Sequence, residues 1–342
     1  DVAAIEAAGF QHYPIALNRR MFTPLRDLRA CWQMYRLFRR ERFTIVHGHT
    51  PKAELLGQVA ARLAGVPVVV DTFRGIPYRP GMHPLWRRAF LWMSRLAAAC
   101  ADAVLSQSQA NLELAVREGV CPPAKIELLG NGIDVVRFDR AALDPVAVAA
   151  VRAGLGLPQG ALVVGFVGRL VAEKGLPELL AAARLVRDRL GPPGVRFLLV
   201  GPGDPDKDDA LDPEVAAAYG VAEACVFAGV REDMPHIYGL MDLFVLPSHR
   251  ESFPRAPMEA SAMGVPCVVS DVPGCRETVV DGLNGLLVPA GDAEALAAAM
   301  VDLLADRDRA RAMGAAGRRL ALERFDERRV FEKVQACLLY TS

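Results

Sequence analysis

The stretch ALVVGFVGRLVAEKGLPELLAAARLV (residues 161–186) predicts a buried strand, a glycine-containing turn and a helix in direct succession. The turn begins at Gly168 and carries two cations, Arg169 and Lys174, five positions apart. A strand that ends in glycine and turns into a helix is a place where open α/β sheets bind phosphate. The alternative interpretation is an ordinary surface turn with two exposed charges.

The same turn lacks the known nucleotide-binding signatures. No lysine in the chain follows a glycine, so GxxxxGK[ST] is absent, and no GxGxxG is followed by an acidic residue at the expected distance. P-loop NTPase and dinucleotide-binding functions are therefore disfavoured.

Apolar strand-like runs alternate with helical patterns along the whole chain, which is typical of parallel α/β sheets. The predicted strands of the first half lie at 12–17, 43–47, 66–70, 101–108 and 125–129, and those of the second half at 161–168, 195–201, 225–229, 243–248, 266–270 and 285–289. A turn signal at Asn131–Gly132 precedes a polar segment and a new strand at Ala161. We therefore predict two Rossmann-like domains, 1–140 and 141–322, and a C-terminal helix, 323–342, that packs back toward the first domain.

Composition agrees with two soluble cores. The chain has 342 residues, 52% of them hydrophobic, and no apolar run has the length of a membrane span or the form of a signal peptide. Its seven cysteines are scattered without CxxC spacing, which indicates reduced residues and a cytoplasmic location.

The net charge of zero hides an asymmetry between the halves. Residues 1–145 hold 19 Lys+Arg against 13 Asp+Glu, whereas residues 146–342 hold 21 against 27. Much of the basic excess lies in one segment with eight arginines: Arg19, Arg20, Arg26, Arg29, Arg36, Arg39, Arg40 and Arg42. Leu25, Leu28, Trp32 and Tyr35 recur there at helical spacing. The pattern predicts a basic amphipathic helix, either packed on the core with a solvated basic face or bound to an anionic membrane surface; no nucleic-acid motif accompanies it.

The segment ESFPRAPMEA (residues 251–260) places Glu251 and Glu259 eight positions apart. We expect Pro257 to open a helix, with Glu259 in its first turn and Glu251 on the preceding loop. Free N–H groups at a helix N-terminus are suited to bind phosphate oxygens, and carboxylates accept hydrogen bonds from sugar hydroxyl groups. Alternatively, Glu259 complements the helix dipole and Glu251 is solvated.

Several of these motifs occur in an order that resembles a known family. GRLVAEKG (168–175), LLVGPGD (198–204) and the long segment 227–288 resemble the donor-binding domain of family-4 glycosyltransferases, which are retaining enzymes. TIVHGHTPKAELLGQVAARLAGVPVVV (44–70) is similar to part of their acceptor domain. The resemblance implies an α/β GT-B fold, in which two Rossmann-like domains face each other across a cleft.

The resemblance also implies roles for individual residues. Arg169 and Lys174 would hold the donor diphosphate, Glu251 would lie by the transferred sugar, and Glu259 would take the ribose hydroxyls. His49 would contact sugar and phosphate, and His47 should share its face of the strand because positions i and i+2 point the same way. The other implied donor-binding positions are Gly168, Val230, Phe253, Pro254 and Arg255.

No cofactor or metal is expected, because Arg169 and Lys174 supply the positive charge. The Asp-x-Asp pairs Asp204–Asp206, Asp206–Asp208 and Asp306–Asp308 are interpreted as solvated surface. The expected partners are a nucleotide-sugar donor, a glycan or lipid-linked acceptor and an anionic membrane surface. A sugar-nucleotide epimerase and a non-catalytic nucleotide-sugar-binding protein are the alternatives.

Two features depart from the family pattern. The usual first strand and its glycine-rich loop are not found before VAAIEAAGF (2–10), so the chain is expected to be truncated at its N-terminus. Where many members have TxHG after a strand, this chain has Thr72, Phe73, Arg74 and Gly75, which is expected to alter acceptor contacts.

Overall fold

The computed structural model describes residues 2–17, 23–75, 82–191, 194–204 and 209–340, with the side chains of Ala4 and Tyr340 left out. The chain divides into two compact units, one of residues 1–130 and 332–342 and one of residues 131–331. The polar segment after Gly130 thus belongs with the second unit, because Ile133 pairs through its backbone with the 325–327 segment and Phe138 packs edge-on against Tyr238.

The first unit is a four-stranded parallel sheet with order β1-β2-β3-β4 and helices between the strands. Its elements are α1 Val2–Ala7, α2 Pro24–Glu41, β1 Ile45–Gly48, α3 Pro51–Ala64, β2 Val68–Phe73, α4 Pro84–Cys100, β3 Ala103–Ser106, α5 Gln109–Arg117 and β4 Ile126–Leu128. The valine-rich β2 is buried along its whole length, as expected of a central parallel strand.

The predicted strand at 12–17 is wrong. Residues 11–17 carry no regular secondary structure and are mostly exposed. Pro14 separates Tyr13 from the three apolar residues 15–17, and no described strand of the sheet pairs with this segment.

The second unit is a six-stranded parallel sheet with order β10-β9-β8-β5-β6-β7. Its elements are α6 Pro145–Gly154, β5 Leu162–Val167, α7 Leu176–Leu190, β6 Val195–Val200, α8 Val215–Ala218, β7 Cys225–Gly229, α9 Met234–Gly239, β8 Leu243–Leu246, α10 Arg255–Ala262, β9 Cys267–Ser270, α11 Pro273–Arg276, β10 Gly285–Val288, α12 Ala293–Ala305 and α13 Arg307–Arg324; α14, Glu327–Tyr340, begins in this unit and continues into the first. Every predicted strand of the second half is confirmed.

The core of the second unit lies between this sheet and the helices on its two faces. Strands β8 and β9 are buried at every position. Gly165, inside β5, allows close packing, since a side chain there would overlap Met241. The loops that leave the carboxyl edge of the sheet are thus built on closely packed strands.

Candidate functional site

The order of the second sheet reverses at β5. From β5 the chain moves outward through β6 and β7, then returns to add β8, β9 and β10 on the other side. In open parallel sheets ligands bind outside the carboxyl ends of the strands at such a switch point. The loops after β5 and β8 are neighbours at this point, and they carry most of the predicted site residues.

The loop after β5 is held close to its neighbours by glycines. Gly175 has φ +73°, and a side chain there would overlap the Pro247 carbonyl on the loop after β8. Likewise a side chain on Gly201 would overlap the carbonyl of Gly168. The loop after β5 can approach the loops after β6 and β8 this closely only because Gly175 and Gly201 lack a Cβ.

Arg169 projects from this loop and forms an ion pair. One of its terminal nitrogens donates to Asp204 Oδ2 at 2.8 Å. Asp204 was predicted to be solvated surface, and that interpretation is wrong: its carboxylate is largely buried and fixes the guanidinium group. Asp206 and Asp208 lie outside the described residues.

Lys174 joins the two loops directly. Its ammonium donates to Glu251 Oε1 at 2.5 Å, and the Ser248 hydroxyl donates to the same oxygen at 2.8 Å. Both charged side chains are mostly buried, with exposed fractions of 19% for Lys174 and 10% for Glu251. The structure thus brings together a cation and a carboxylate that stand 77 positions apart in sequence.

Helix α10 begins earlier than predicted. It starts at Arg255, with Pro254 as the N-cap residue, so Pro257 is its third residue and Glu259 lies beyond the first turn. Proline is tolerated at this position because the first N–H groups of a helix have no partner within it. The backbone N–H groups of Arg255 and Ala256 consequently belong to the open end of the helix.

Glu259 points into the protein interior. Its Oε2 accepts a hydrogen bond of 2.9 Å from the Tyr238 hydroxyl, and its Oε1 lies 3.8 Å from Nε of Arg255. Burial raises the pKa of Glu259, although the Tyr238 hydrogen bond and the charges of Arg255 and Arg137 oppose the shift. Tyr238 lies in an apolar run and was not predicted as a site residue; sequence gives no sign that its hydroxyl meets a carboxylate.

The loop between Glu251 and α10 is fixed from two sides. Asn131 donates through its side-chain nitrogen to the Phe253 carbonyl at 3.1 Å, and the Phe253 ring packs edge-on against Phe325. A side chain on Gly274, in α11, would overlap the backbone at Glu251. The loop that presents Glu251 is therefore packed tightly against both neighbouring segments.

Val230 follows β7 on the same carboxyl edge of the sheet. It is 71% exposed, and the adjacent Arg231 pairs with Asp233 rather than covering it. An exposed valine at this edge leaves apolar surface and backbone available to a ligand.

In the first unit, His47 and His49 lie side by side at the end of β1. Their rings are 4.1 Å apart between centroids, which confirms that they share a face. His47 Nε2 lies 2.7 Å from the Thr72 hydroxyl, and burial followed by the proximity of His49 lowers the pKa of His47 to about 4. Partial burial and the Arg74 charge lower the pKa of His49. Both imidazoles are thus neutral near pH 7.

A second polar cluster, not predicted from sequence, occupies the opposite face of β1 and β2. Glu54 packs over Gly48, which is paired in register with Asp71, and both carboxyl groups are more than nine-tenths buried. Burial raises the pKa of Asp71; burial and then repulsion by Asp71 raise the pKa of Glu54 to about 9, against the pull of Arg74. Glu54 Oε1 and Asp71 Oδ1 have no hydrogen-bond partner among the described residues.

Helix α2 buries a narrow face. Ala30 and Met34 are its buried residues, whereas Leu25, Leu28 and Trp32 are 85%, 69% and 55% exposed. The six described arginines of the predicted helix are also exposed: Arg26, Arg29, Arg36, Arg39, Arg40 and Arg42. Arg19 and Arg20 lie outside the described residues. The apolar stripe noted in the sequence therefore faces away from the core.

Two further properties concern metals and membranes. Within the described ranges, His, Cys, Asp and Glu side chains nowhere gather in a group of three that could hold a metal ion. Asp306 caps α13 and Asp308 is exposed. No helix in the described part of the chain is long and apolar enough to cross a bilayer.

The second unit is a parallel α/β sheet with charged side chains at its switch point, the place where sheets of this kind bind ligands. Family models agree: residues 2–132 match the glycosyl transferase 4-like domain, and residues 161–306 match glycosyl transferases group 1. The chain therefore belongs to the group 1 glycosyltransferases of the family-4 type, and it is a glycosyltransferase of GT-B fold.

Individual relatives match most of the chain. It is 30% identical over 295 residues to UDP-Gal:alpha-D-GlcNAc-diphosphoundecaprenol alpha-1,3-galactosyltransferase of Escherichia coli, covering 84% of this chain and 73% of that one. It is 28% identical over 311 residues to the capsular polysaccharide biosynthesis glycosyltransferase CapM of Staphylococcus aureus, covering 91% and 80%. The structure of Anabaena HepE with UDP and glucose superposes with a TM-score of 0.80 at 23% identity, over 98% of this chain and 88% of that one, which shows a shared fold.

Proposed function

We propose that this glycosyltransferase moves a sugar from a nucleoside diphosphate sugar to a glycan or lipid-linked acceptor in cell-surface polysaccharide or lipopolysaccharide synthesis, with retention at the anomeric carbon. The names of its relatives support the acceptor class, since one acts on a diphosphoundecaprenol-linked sugar and another serves capsule synthesis. UDP is the favoured nucleotide, because the superposed HepE structure contains UDP.

The observation that carries the proposal is the contact between Lys174 and Glu251 at the switch point of the second sheet. It joins a cation suited to phosphate with a carboxylate suited to sugar hydroxyls. An ammonium group has three N–H donors, so Lys174 can keep its bond to Glu251 and still donate to a phosphate oxygen.

Departure of a nucleoside diphosphate builds negative charge that the site must stabilise. We assign this role to Lys174 and Arg169, together with the free N–H groups of Arg255 and Ala256 at the start of α10. Asp204 holds the Arg169 guanidinium in place, so the field is set before the donor binds. In this proposal the fixed cations do the work that other transferases assign to a divalent metal.

The remaining roles are assigned from the family resemblance. Glu259 takes the ribose hydroxyls, and the exposed surface and backbone at Val230 contact the base. Glu251 lies by the transferred sugar. His49, on the first unit, contacts sugar and phosphate as a neutral imidazole, which can both donate and accept a hydrogen bond.

We assign a cytoplasmic location, with α2 as the contact to the inner face of an anionic membrane. Leu25, Leu28 and Trp32 are exposed beside six exposed arginines, and Arg36 stacks over Trp32 with 4.8 Å between its guanidinium carbon and the ring centre. Apolar side chains that enter the headgroup layer, flanked by cations that attract anionic lipid, are the features of an interfacial helix.

The test is a panel of UDP, GDP and ADP, each followed by thermal unfolding. A nucleotide present at a hundredfold excess over its Kd stabilises the folded protein by about 2.7 kcal/mol. We expect one nucleotide, UDP, to raise the melting temperature clearly above the other two. Absence of a shift with all three at millimolar concentration would contradict the proposal.

The alternatives give different results in a second assay with the matching nucleotide sugar. A transferase releases free nucleoside diphosphate when acceptor is supplied, whereas an epimerase converts the sugar without releasing nucleotide. A binding protein shows the thermal shift and leaves the nucleotide sugar intact.

A further inference from the structure

A cavity lies at the amino edge of the second sheet, opposite the switch-point loops. It has a volume of about 560 Å³ and is bordered by the residues that enter β5 and β8, by α6 and by the first residue of α13. Strand β5 has six residues, and a strand rises about 3.3 Å per residue, so the two edges are roughly 20 Å apart. The cavity is therefore separate from the proposed donor site.

Three arginines line this cavity. Arg152 donates to the carbonyls of Pro158 and Ala161 at 2.8 and 2.6 Å, and Arg140 donates to the Gly239 carbonyl at 2.7 Å. Arg307 pairs with Asp242, the single acidic residue among those lining the cavity, at 2.6 Å. The lining thus carries two positive charges in excess.

The lining of this cavity is positively charged, although the second half of the sequence is acidic overall. Residues 146–342 carry more acidic than basic side chains, and other arginines of the unit pair with carboxylates, as Arg231 does with Asp233 and Arg276 with Asp271. Among the described residues, no carboxylate lies within ion-pair distance of Arg140 or Arg152. Backbone carbonyls orient both guanidinium groups without neutralising them.

The guanidinium of Arg152 is also fixed in position. It bridges two carbonyls of the turn before β5, which leaves N–H donors of the fork unused. Leu143 and Val148 supply an apolar wall, and a side chain on Gly239 would overlap Leu143. A volume of this size falls in the range of small-molecule sites.

We propose that this cavity binds a small molecule that bears a phosphate or diphosphate group, at Arg140 and Arg152. Guanidinium groups bind phosphate oxygens through paired N–H donors, and the apolar wall accommodates the rest of such a molecule. This site is additional to the donor site and does not depend on the proposed function.

The test must separate the two sites, since pyrophosphate could bind to either. The Arg169→Ala/Lys174→Ala variant of the full chain removes the switch-point cations and is the background for calorimetric titration with inorganic pyrophosphate. We expect binding at one site per chain in this background. Adding Arg140→Glu should weaken it by at least about tenfold, because a phosphate contact is lost and a repulsive charge is introduced.

Arg140 is the preferred position because it is exposed and makes a single hydrogen bond, so its replacement should leave the fold intact. Arg152→Ala is the second variant, and it should weaken binding to a similar degree. The matched control is Arg189→Ala, an exposed arginine of α7 outside the cavity, which should leave the affinity unchanged. Sulfate at equal ionic strength should compete weakly.

Two results would overturn the inference. One is no pyrophosphate binding in the Arg169→Ala/Lys174→Ala background at millimolar concentration. The other is equal affinity in the Arg140→Glu and Arg189→Ala variants, which would show that the binding does not involve this cavity.

Discussion

Glu259 holds its carboxylate inside the second unit, where Tyr238 donates to one oxygen and Arg255 approaches the other. Because this carboxylate is already buried, it can accept hydrogen bonds from ribose hydroxyl groups without a further desolvation cost when the ribose binds. Its raised pKa has a consequence for pH: a contact that requires the ionised form is lost, as pH falls, earlier than for an ordinary glutamate.

Replacing Glu259 by glutamine should therefore weaken nucleoside diphosphate binding by about tenfold or more. Hydrogen bonds to a charged group contribute about 1.5–3 kcal/mol, and glutamine keeps the shape and the bond to Tyr238 while losing the charge. Calorimetric titration measures the effect. Tyr238→Phe is the control, since it removes the internal hydrogen bond and keeps the carboxylate; a smaller loss is expected there. Equal affinity of wild type and Glu259→Gln would remove Glu259 from the ribose site.

The raised pKa values of Glu54 and Asp71 predict that the stability of the first unit depends on pH. The folded state raises the pKa of Glu54 from 4.5 to about 9, so its proton is bound more tightly when folded. Stability from this group is complete below about pH 4.5 and is lost progressively as pH rises toward 9.

The Glu54→Gln variant should remove this dependence. The free energy of unfolding of the variant minus that of wild type should increase between pH 5 and pH 8. The increase is up to about 1.4 kcal/mol per pH unit, which corresponds to one proton. Thermal melting across that range measures the difference, and Glu113→Gln, at an exposed position of α5, is the control. Parallel profiles for wild type and Glu54→Gln would show that Glu54 ionises normally.

At the scale of elements, sequence predicted which segments form strands better than where helices begin. The apolar runs of β5 and β8 are too apolar for the surface and too short for helices, so their sequence pattern predicts buried strands. The start of α10 was misplaced because Pro254 and Pro257 are both acceptable at a helix N-terminus, and local preference does not choose between them. Phe253, just before the helix, packs against Phe325, a contact between distant positions that local preference does not contain.

Helix α2 shows a different limit. The helical spacing of Leu25, Leu28 and Trp32 predicts an amphipathic stripe but does not decide whether the stripe faces the core. The structure places Ala30 and Met34 on the buried face, because small and flexible side chains fit closely against α3. The larger side chains remain exposed, and that exposure is what a membrane contact requires.

Vesicles that contain phosphatidylglycerol should therefore bind the protein at low salt and release it at high salt. Each basic residue near such a surface contributes about 1 kcal/mol, over a Debye length of about 8 Å at physiological salt. Replacing Trp32 by alanine together with Arg36 and Arg39 by glutamate should abolish sedimentation with the vesicles. Arg117→Glu, an exposed change on α5, should not. Unchanged sedimentation of the triple variant would indicate that α2 is not the contact.

For the whole molecule, sequence was sufficient to predict two parallel α/β units, since alternating strands and helices allow few other topologies. It could not predict the pairs that join distant segments. Lys174 meets Glu251 because β5 and β8 are neighbours, and Arg169 meets Asp204 because β5 and β6 are neighbours. Such contacts follow from strand order, which periodicity does not determine. The roles given to the site residues remain predictions: Arg169, Lys174, Glu251, Glu259, His49 and Val230.

The central claim is that fixed cations at the switch point, rather than a divalent metal, hold the donor diphosphate. Calorimetric titration of UDP in excess EDTA tests it in wild type, Lys174→Ala and the control Arg189→Ala. We predict that wild type and Arg189→Ala bind UDP in EDTA, and that Lys174→Ala binds at least about tenfold more weakly, since it loses a charged hydrogen bond to phosphate. Loss of wild-type binding in EDTA and its return with Mg²⁺, with Lys174→Ala indistinguishable from wild type, would contradict the account.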